Sequence, residues 1–171
     1  FGTCNFTPDE KGLLVRTTLF SDEGSVGYIA LDKPTDITEV SISGIKHRGK
    51  GELVDLKSVH DDLYLLEYNI DGCSWLYECR YTDRGKRNLK VTRTLCGLPP
   101  LEGGVLLGYE FELHKASGQT EVGYVIAHSK ANTPAQLYLY AIGSQAKTPI
   151  VLSHEHVLGI DQKFLSRGED E

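Results

Sequence analysis

An all-β fold, an antiparallel two-sheet sandwich or barrel carrying two disulfides, is expected from the spacing of apolar residues, the turn composition and the lack of helical stripes. Apolar side chains recur with a period of two along most of the chain, as in Val122, Tyr124 and Ile126 against Gly123, Val125 and Ala127. Clusters of Gly, Pro, Asp, Asn and Ser punctuate these runs at short intervals. No window carries a convincing apolar stripe at helical spacing. Short strands joined by tight turns describe a sandwich or barrel.

The strands follow in order over 13–20, 25–31, 37–45, 52–58, 63–70, 74–81, 88–95, 105–113, 120–128, 136–142 and 149–157. Ile37-Thr38-Glu39-Val40-Ser41-Ile42-Ser43 alternates polar with apolar, the pattern of a half-exposed strand. Leu137, Leu139 and Ala141 alternate with Tyr138, Tyr140 and Ile142, so that strand is apolar on both faces. Ser21-Asp22-Glu23-Gly24, Asp71-Gly72, Asp83-Arg84-Gly85-Lys86 and Asn132-Thr133-Pro134 fill the gaps as turns. A turn or two of helix is expected after Gly159. Pro99-Pro100-Leu101-Glu102-Gly103-Gly104 is the best hinge, within one expected domain over 1–171.

Four cysteines, Cys4, Cys73, Cys79 and Cys96, accompany one sequon, Asn5-Phe6-Thr7, with Asn5 the glycan acceptor. An even cysteine count beside a sequon predicts a secreted, extracellular glycoprotein. With no leader at its start, the chain is expected to be the mature form. Cys73 and Cys79 lie on one strand about 20 Å apart, too far for a disulfide. A hairpin turning at Arg84-Gly85 sets Cys73 opposite Cys96 and leaves Cys4 for Cys79. The crossed pairing, Cys79 with Cys96 and Cys4 with Cys73, is the alternative. Trp75 shares a face with Cys73, Tyr77 and Cys79, which predicts an indole mostly buried beside a disulfide.

The net charge of -6 argues against nucleic acid as the partner, because phosphate binding needs a basic field. No run approaches ~18 apolar residues, so no membrane span is expected. No Gly-x-Ser-x-Gly elbow or phosphate-cradling glycine loop is present, and the cysteines are committed to bridges. The chain therefore reads as a non-enzyme with no cofactor.

Three constellations could carry binding. Lys46, Arg48 and Lys50 form a basic turn, echoed by Arg84, Lys86, Arg87, Lys90 and Arg93, and such patches attract sulfated glycans or protein partners. Tyr68, Tyr77, Tyr124, Tyr138 and Tyr140 are pocket candidates, since amphipathic rings line small-molecule sites as well as cores. His154 and His156 share one face of a strand, the spacing of a metal pair, but no third ligand is marked by spacing and no metal is assigned.

The run Leu63-Tyr64-Leu65-Leu66-Glu67-Tyr68-Asn69-Ile70-Asp71-Gly72-Cys73, with Val157-Leu158-Gly159-Ile160-Asp161, Phe164 and the place of Cys4, resembles ependymin-related secreted proteins. That resemblance implies a two-sheet fold, an apolar cavity, lipid-like ligands and secretion. The family's later cysteines have no counterpart after Cys96. A second run, Gly27-Tyr28-Ile29-Ala30-Leu31 with Val40-Ser41-Ile42-Ser43-Gly44-Ile45, resembles the opening hairpin of copper–zinc superoxide dismutase-like sandwiches. Lys46-His47-Arg48-Gly49-Lys50 stands where their His-x-His would follow, which implies a lost metal centre.

The function expected from all this is a secreted binding protein holding a hydrophobic or amphipathic small molecule, such as a lipid, between its sheets. The alternative is an extracellular module that recognises a sulfated glycan or another protein through its basic turns. Either could act as a homo-oligomer.

Overall fold

A computed structural model of the chain describes residues 2–83, 86–116, 118–142, 148–156, 160 and 164. These residues hold twelve strands and no α-helix. The chain divides between Leu98 and Pro99 into two compact units, at the start of the proline-glycine hinge.

The first unit holds eight strands: β1 (Cys4–Phe6), β2 (Gly12–Thr17), β3 (Ser25–Ala30), β4 (Lys33–Ser43), β5 (Gly51–His60), β6 (Leu63–Ile70), β7 (Cys73–Thr82) and β8 (Asn88–Cys96). They form one sheet in the order β1-β2-β3-β4-β8-β7-β6-β5. Every pair is antiparallel except β4 and β8, where Ser41 lies beside Asn88 and Ser43 beside Lys90. Four chain reversals separate β4 from β8, so the two run the same way, and the expected all-antiparallel sheet gains one parallel pair. Even-numbered strands point to one end, called upper here. The 17–25, 43–51 and 70–73 connections lie there, and the 30–33, 60–63 and 82–88 connections lie at the lower end.

The sheet curls until its edge strands β1 and β5 meet. Eight strands leave an interior just wide enough for side chains to fill. Leu14, Val26, Val40, Leu53, Leu56, Tyr64, Leu66, Tyr77, Cys79 and Leu89 fill it. The register explains why: Tyr64 opposes Cys79, Leu66 opposes Tyr77, and Tyr68 opposes Trp75, so the alternating residues of β6 and β7 share the inner face. Asp71 and Gly72 both take positive φ between paired Ile70 and Cys73, the geometry of a two-residue hairpin turn that suits the strand twist.

The second unit holds a four-stranded antiparallel sheet in the order β12-β11-β10-β9. Its strands are β9 (Gly104–Ala116), β10 (Gln119–Lys130), β11 (Thr133–Tyr140) and β12 (Ile150–Val151). Tyr124, Ile126, His128, Gln136, Tyr138 and Tyr140 lie on one face and are buried. The other face exposes Val105, Val125, Leu137, Ile150 and Leu152. The expected strand over 149–157 shortens to Ile150–Val151 among the described residues; Val157 and Gly159 lie outside them, as do residues 161–163 of the expected helix, while Ile160 is described without regular structure.

All four cysteines are unbridged, which corrects both expected pairings. The β7–β8 hairpin starts one residue out of the expected register, with Thr82 opposite Asn88. Two bulges then carry the slip further in the same direction, so Cys96 faces Leu76 rather than Cys73. Cys73 is three residues farther along β7, about 10 Å away and on the other face. Cys79 faces Val91 and is equally far from Cys96 along the strand. Strands β5 and β6 separate Cys4 from β7, a gap of about 14 Å at the usual strand spacing. Burial instead pushes the Cys79 thiol up to about 12, so it packs as a small hydrophobe.

Candidate functional site

At the upper end of the barrel the 44–50 segment crosses from β4 to β5 and sets His47 among three rings. The His47 centroid lies 4.7 Å from Tyr68, 5.6 Å from Trp75 and 5.7 Å from Tyr77. Trp75 stacks on Tyr77 at 5.8 Å with planes 21° apart. Behind it Gly97 sits at φ 109, where an added Cβ would lie 2.2 Å from the indole, so only glycine lets the ring lie flat there. Tyr77 is fully buried, whereas His47, Tyr68 and Trp75 are half-buried. The cluster therefore caps the core while keeping partial contact with solvent.

One phenol organises the cluster. The Tyr77 hydroxyl oxygen accepts hydrogen bonds from Lys46 N at 3.3 Å and His47 N at 3.0 Å. It also lies 2.9 Å from His47 Nδ1. With its acceptor sites filled, the phenol directs its own hydrogen to Nδ1. Burial pushes that phenol up to about 12, so the hydrogen is present throughout the physiological range. His47 is then a neutral imidazole with its proton on Nε2. Burial holds its pKa below the ordinary histidine value, and nearby Glu23 opposes that shift.

The same end of the barrel carries a shallow open depression of about 500 Å3. Asp22, Glu23, Glu52 and Asp71 line it together with Lys50 and Asn69. Glu23 comes from the β2–β3 turn, Lys50 from the same segment as His47, and Asn69 from the residue after Tyr68. Gly49 closes the rim against Asp71: it takes φ 110, and a Cβ would lie 1.9 Å from the Asp71 carboxylate. The Asp71 carboxylate also accepts from Lys50 N at 3.3 Å. Four acids and one lysine thus line the depression, while the rings of His47, Tyr68, Trp75 and Tyr77 are not part of its lining.

Of the expected pocket tyrosines, the structure brings Tyr68 and Tyr77 into this cluster. Tyr124, Tyr138 and Tyr140 belong to the buried face of the second sheet. His47 was part of a basic run in the sequence, and nothing in that run separated it from its charged neighbours. Trp75 does share the inner face with Tyr77 and Cys79, but it is half-buried and lies against rings rather than a disulfide.

The basic residues do not form one patch. Lys46, Arg48 and Lys50 are exposed at the upper end, while exposed Lys86 and half-buried Arg87 lie at the lower end. Lys90 and Arg93 sit on β8 between them, opposite Arg80 and Glu78. Arg87 is already engaged, its guanidinium 3.6 Å over the Tyr28 ring and 3.3 Å from Asp83. Arg84 lies outside the described residues, as do Val157, Leu158, Gly159 and Asp161 of the ependymin-like ending. His154 and His156 are exposed beyond β12. The backbone of Glu155 between them is held by the Gln136 carboxamide, which donates to its carbonyl at 2.8 Å and accepts from its N–H at 3.0 Å.

No protein-family model and no curated protein matches the chain.

Proposed function

We propose that the chain is a non-enzymatic binding protein whose recognition surface is the upper end of the barrel. Its ligand is an amphipathic small molecule with a flat apolar part and a cationic head. The observation that carries this reading is the gathering of His47, Tyr68 and Trp75 at the end of the barrel that also holds an acid-rich depression, with Glu23 of that depression acting on His47. Ring faces attract organic cations within about 6 Å of their centroids, and carboxylates at the rim add attraction of the same sign. With its thiols unbridged, the chain keeps the sequon as its remaining feature of secretory passage.

Trp75 is the single tryptophan, so its emission reports this site directly. Benzyltrimethylammonium is expected to change that emission saturably, and its neutral isostere neopentylbenzene to act much more weakly. Glu23→Gln, at an exposed position, should weaken the cation's effect several-fold and leave the fold intact. An equal response to both compounds would remove the cationic head from the reading. No response to either would end the reading.

A second reading has its own observation. The outer face of the second sheet exposes Val105, Val125, Leu137, Ile150 and Leu152, and contiguous apolar faces mark protein contacts. Under this reading Leu137→Glu with Ile150→Glu lowers binding of an apolar fluorescent probe and raises solubility. An unchanged probe signal would remove it.

A further inference from the structure

The barrel closes without a strand ladder where β1 meets β5. Leu56 N donates to Thr3 Oγ1 at 3.3 Å, and Arg16 Nε donates to Leu53 O at 2.6 Å. Tyr64 adds a bond from its hydroxyl to Phe6 O at 2.7 Å. Between them sits Asn5, the asparagine of the chain's one sequon. Its Nδ2 donates to Leu56 O at 2.8 Å, and its Oδ1 accepts from Ser58 N at 2.9 Å. One carboxamide thus plays the part of a strand, bonding two β5 residues that share an edge.

Reaching both partners from one side uses the Nδ2 hydrogen that is syn to Oδ1. An N-glycan makes this nitrogen a secondary amide. Like a trans peptide, that amide places the sugar carbon syn to the oxygen and its remaining hydrogen anti. The sugar therefore takes the position that now donates to Leu56 O. The third sequon residue is committed as well: Thr7 is 2% exposed, and its hydroxyl accepts from Gly12 N at 3.0 Å and bonds Asp9 Oδ1 at 2.7 Å.

We infer that Asn5 is the clasp of the barrel, and that a sugar on its Nδ2 and a closed β1–β5 seam are mutually exclusive. The inference is independent of what binds at the upper end. A sugar-free Asn5 closes the barrel, and a glycosylated Asn5 leaves Leu56 O and Ser58 N to water.

Expression through an N-glycosylating secretory host tests it, with mass analysis and amide hydrogen exchange on the separated products. Asp36→Asn, at an exposed position, creates a sequon with Thr38 and controls for transferase access. The sugar-free chain is expected to protect the Ser58 amide, and the glycosylated chain to exchange it about tenfold faster, the scale of one lost hydrogen bond. Asn5→Asp, which keeps the acceptor and loses the donor, should retain part of the Ser58 protection, while Asn5→Ala loses it. A wild-type chain secreted only without sugar at Asn5, while the control carries sugar at position 36, supports the same conclusion. A glycosylated Asn5 chain whose Ser58 amide is as protected as in the sugar-free chain would overturn it, as would an Asn5→Ala chain with undiminished protection.

Discussion

Tyr77→Ala is expected to destabilise the first unit by about 3–5 kcal/mol, the range for deleting a fully buried aromatic side chain. The residue fills the barrel interior opposite Leu66, supports the stacked Trp75, and anchors the 44–50 segment through its hydroxyl. Tyr77→Phe separates these roles. It keeps the ring but leaves Lys46 N, His47 N and His47 Nδ1 without the oxygen they share, which costs about 1–3 kcal/mol. Urea unfolding should rank the variants wild type, then Phe, then Ala, with His47 ring resonances broadened in the Phe variant. A Phe variant as stable as the wild type would show that the hydroxyl does not hold the segment.

Acid should weaken the second unit through His128. This imidazole is 1% exposed, and neither ring nitrogen has a hydrogen-bond partner among the described residues. Burial chiefly, and Lys130 next, lower its pKa to about 4, while Glu102 opposes them. The folded value lies below the unfolded one, so the unfolded chain binds the extra proton first. Stability contributed by neutral His128 is complete above about pH 6.5 and falls by about 1.4 kcal/mol per pH unit down to about pH 4. The whole loss is on the order of 3 kcal/mol. His128→Leu removes the orphaned nitrogens along with the charge. It should be at least as stable as wild type at pH 8 and should flatten the difference in the acid limb. A wild type and Leu variant with parallel pH profiles would show that His128 is solvated or partnered.

The strands were legible wherever side chains alternate. The period of two placed β6 over 63–70 with its observed ends, and Asp71-Gly72 marked its turn through the backbone conformations those residues tolerate. Of the two apolar faces expected over 137–142, Tyr138 and Tyr140 are buried and Leu137 is exposed, but the strand ends at Tyr140 and Ile142 is exposed. Strand β1 was not, because three residues carry no period. The disulfide reading failed first at the β7–β8 turn, which sets the register one residue off, and then at two bulges, where an extra residue changes the pairing without any mark in the sequence. Thr92 and Leu95 look like ordinary strand residues, yet the pairing shifts at both. The binding end was legible only in part. Tyr68 and Tyr77 stood out as amphipathic rings, but His47 depends on where a connecting segment folds back, and local pattern does not encode that. Asn5 was read for its sequon, whereas its carboxamide meets β5 residues more than fifty positions away.

Recognition, as proposed, belongs to the upper end of the barrel. Backbone amide shifts during a titration with benzyltrimethylammonium test it most directly. Shifts are expected only at Glu23, His47, Lys50, Asn69, Gly72 and Trp75, with Asp61, Asp62 and Lys86 at the lower end unmoved. Shifts centred on the lower end or on the second sheet, or no saturable shifts at all, would contradict it.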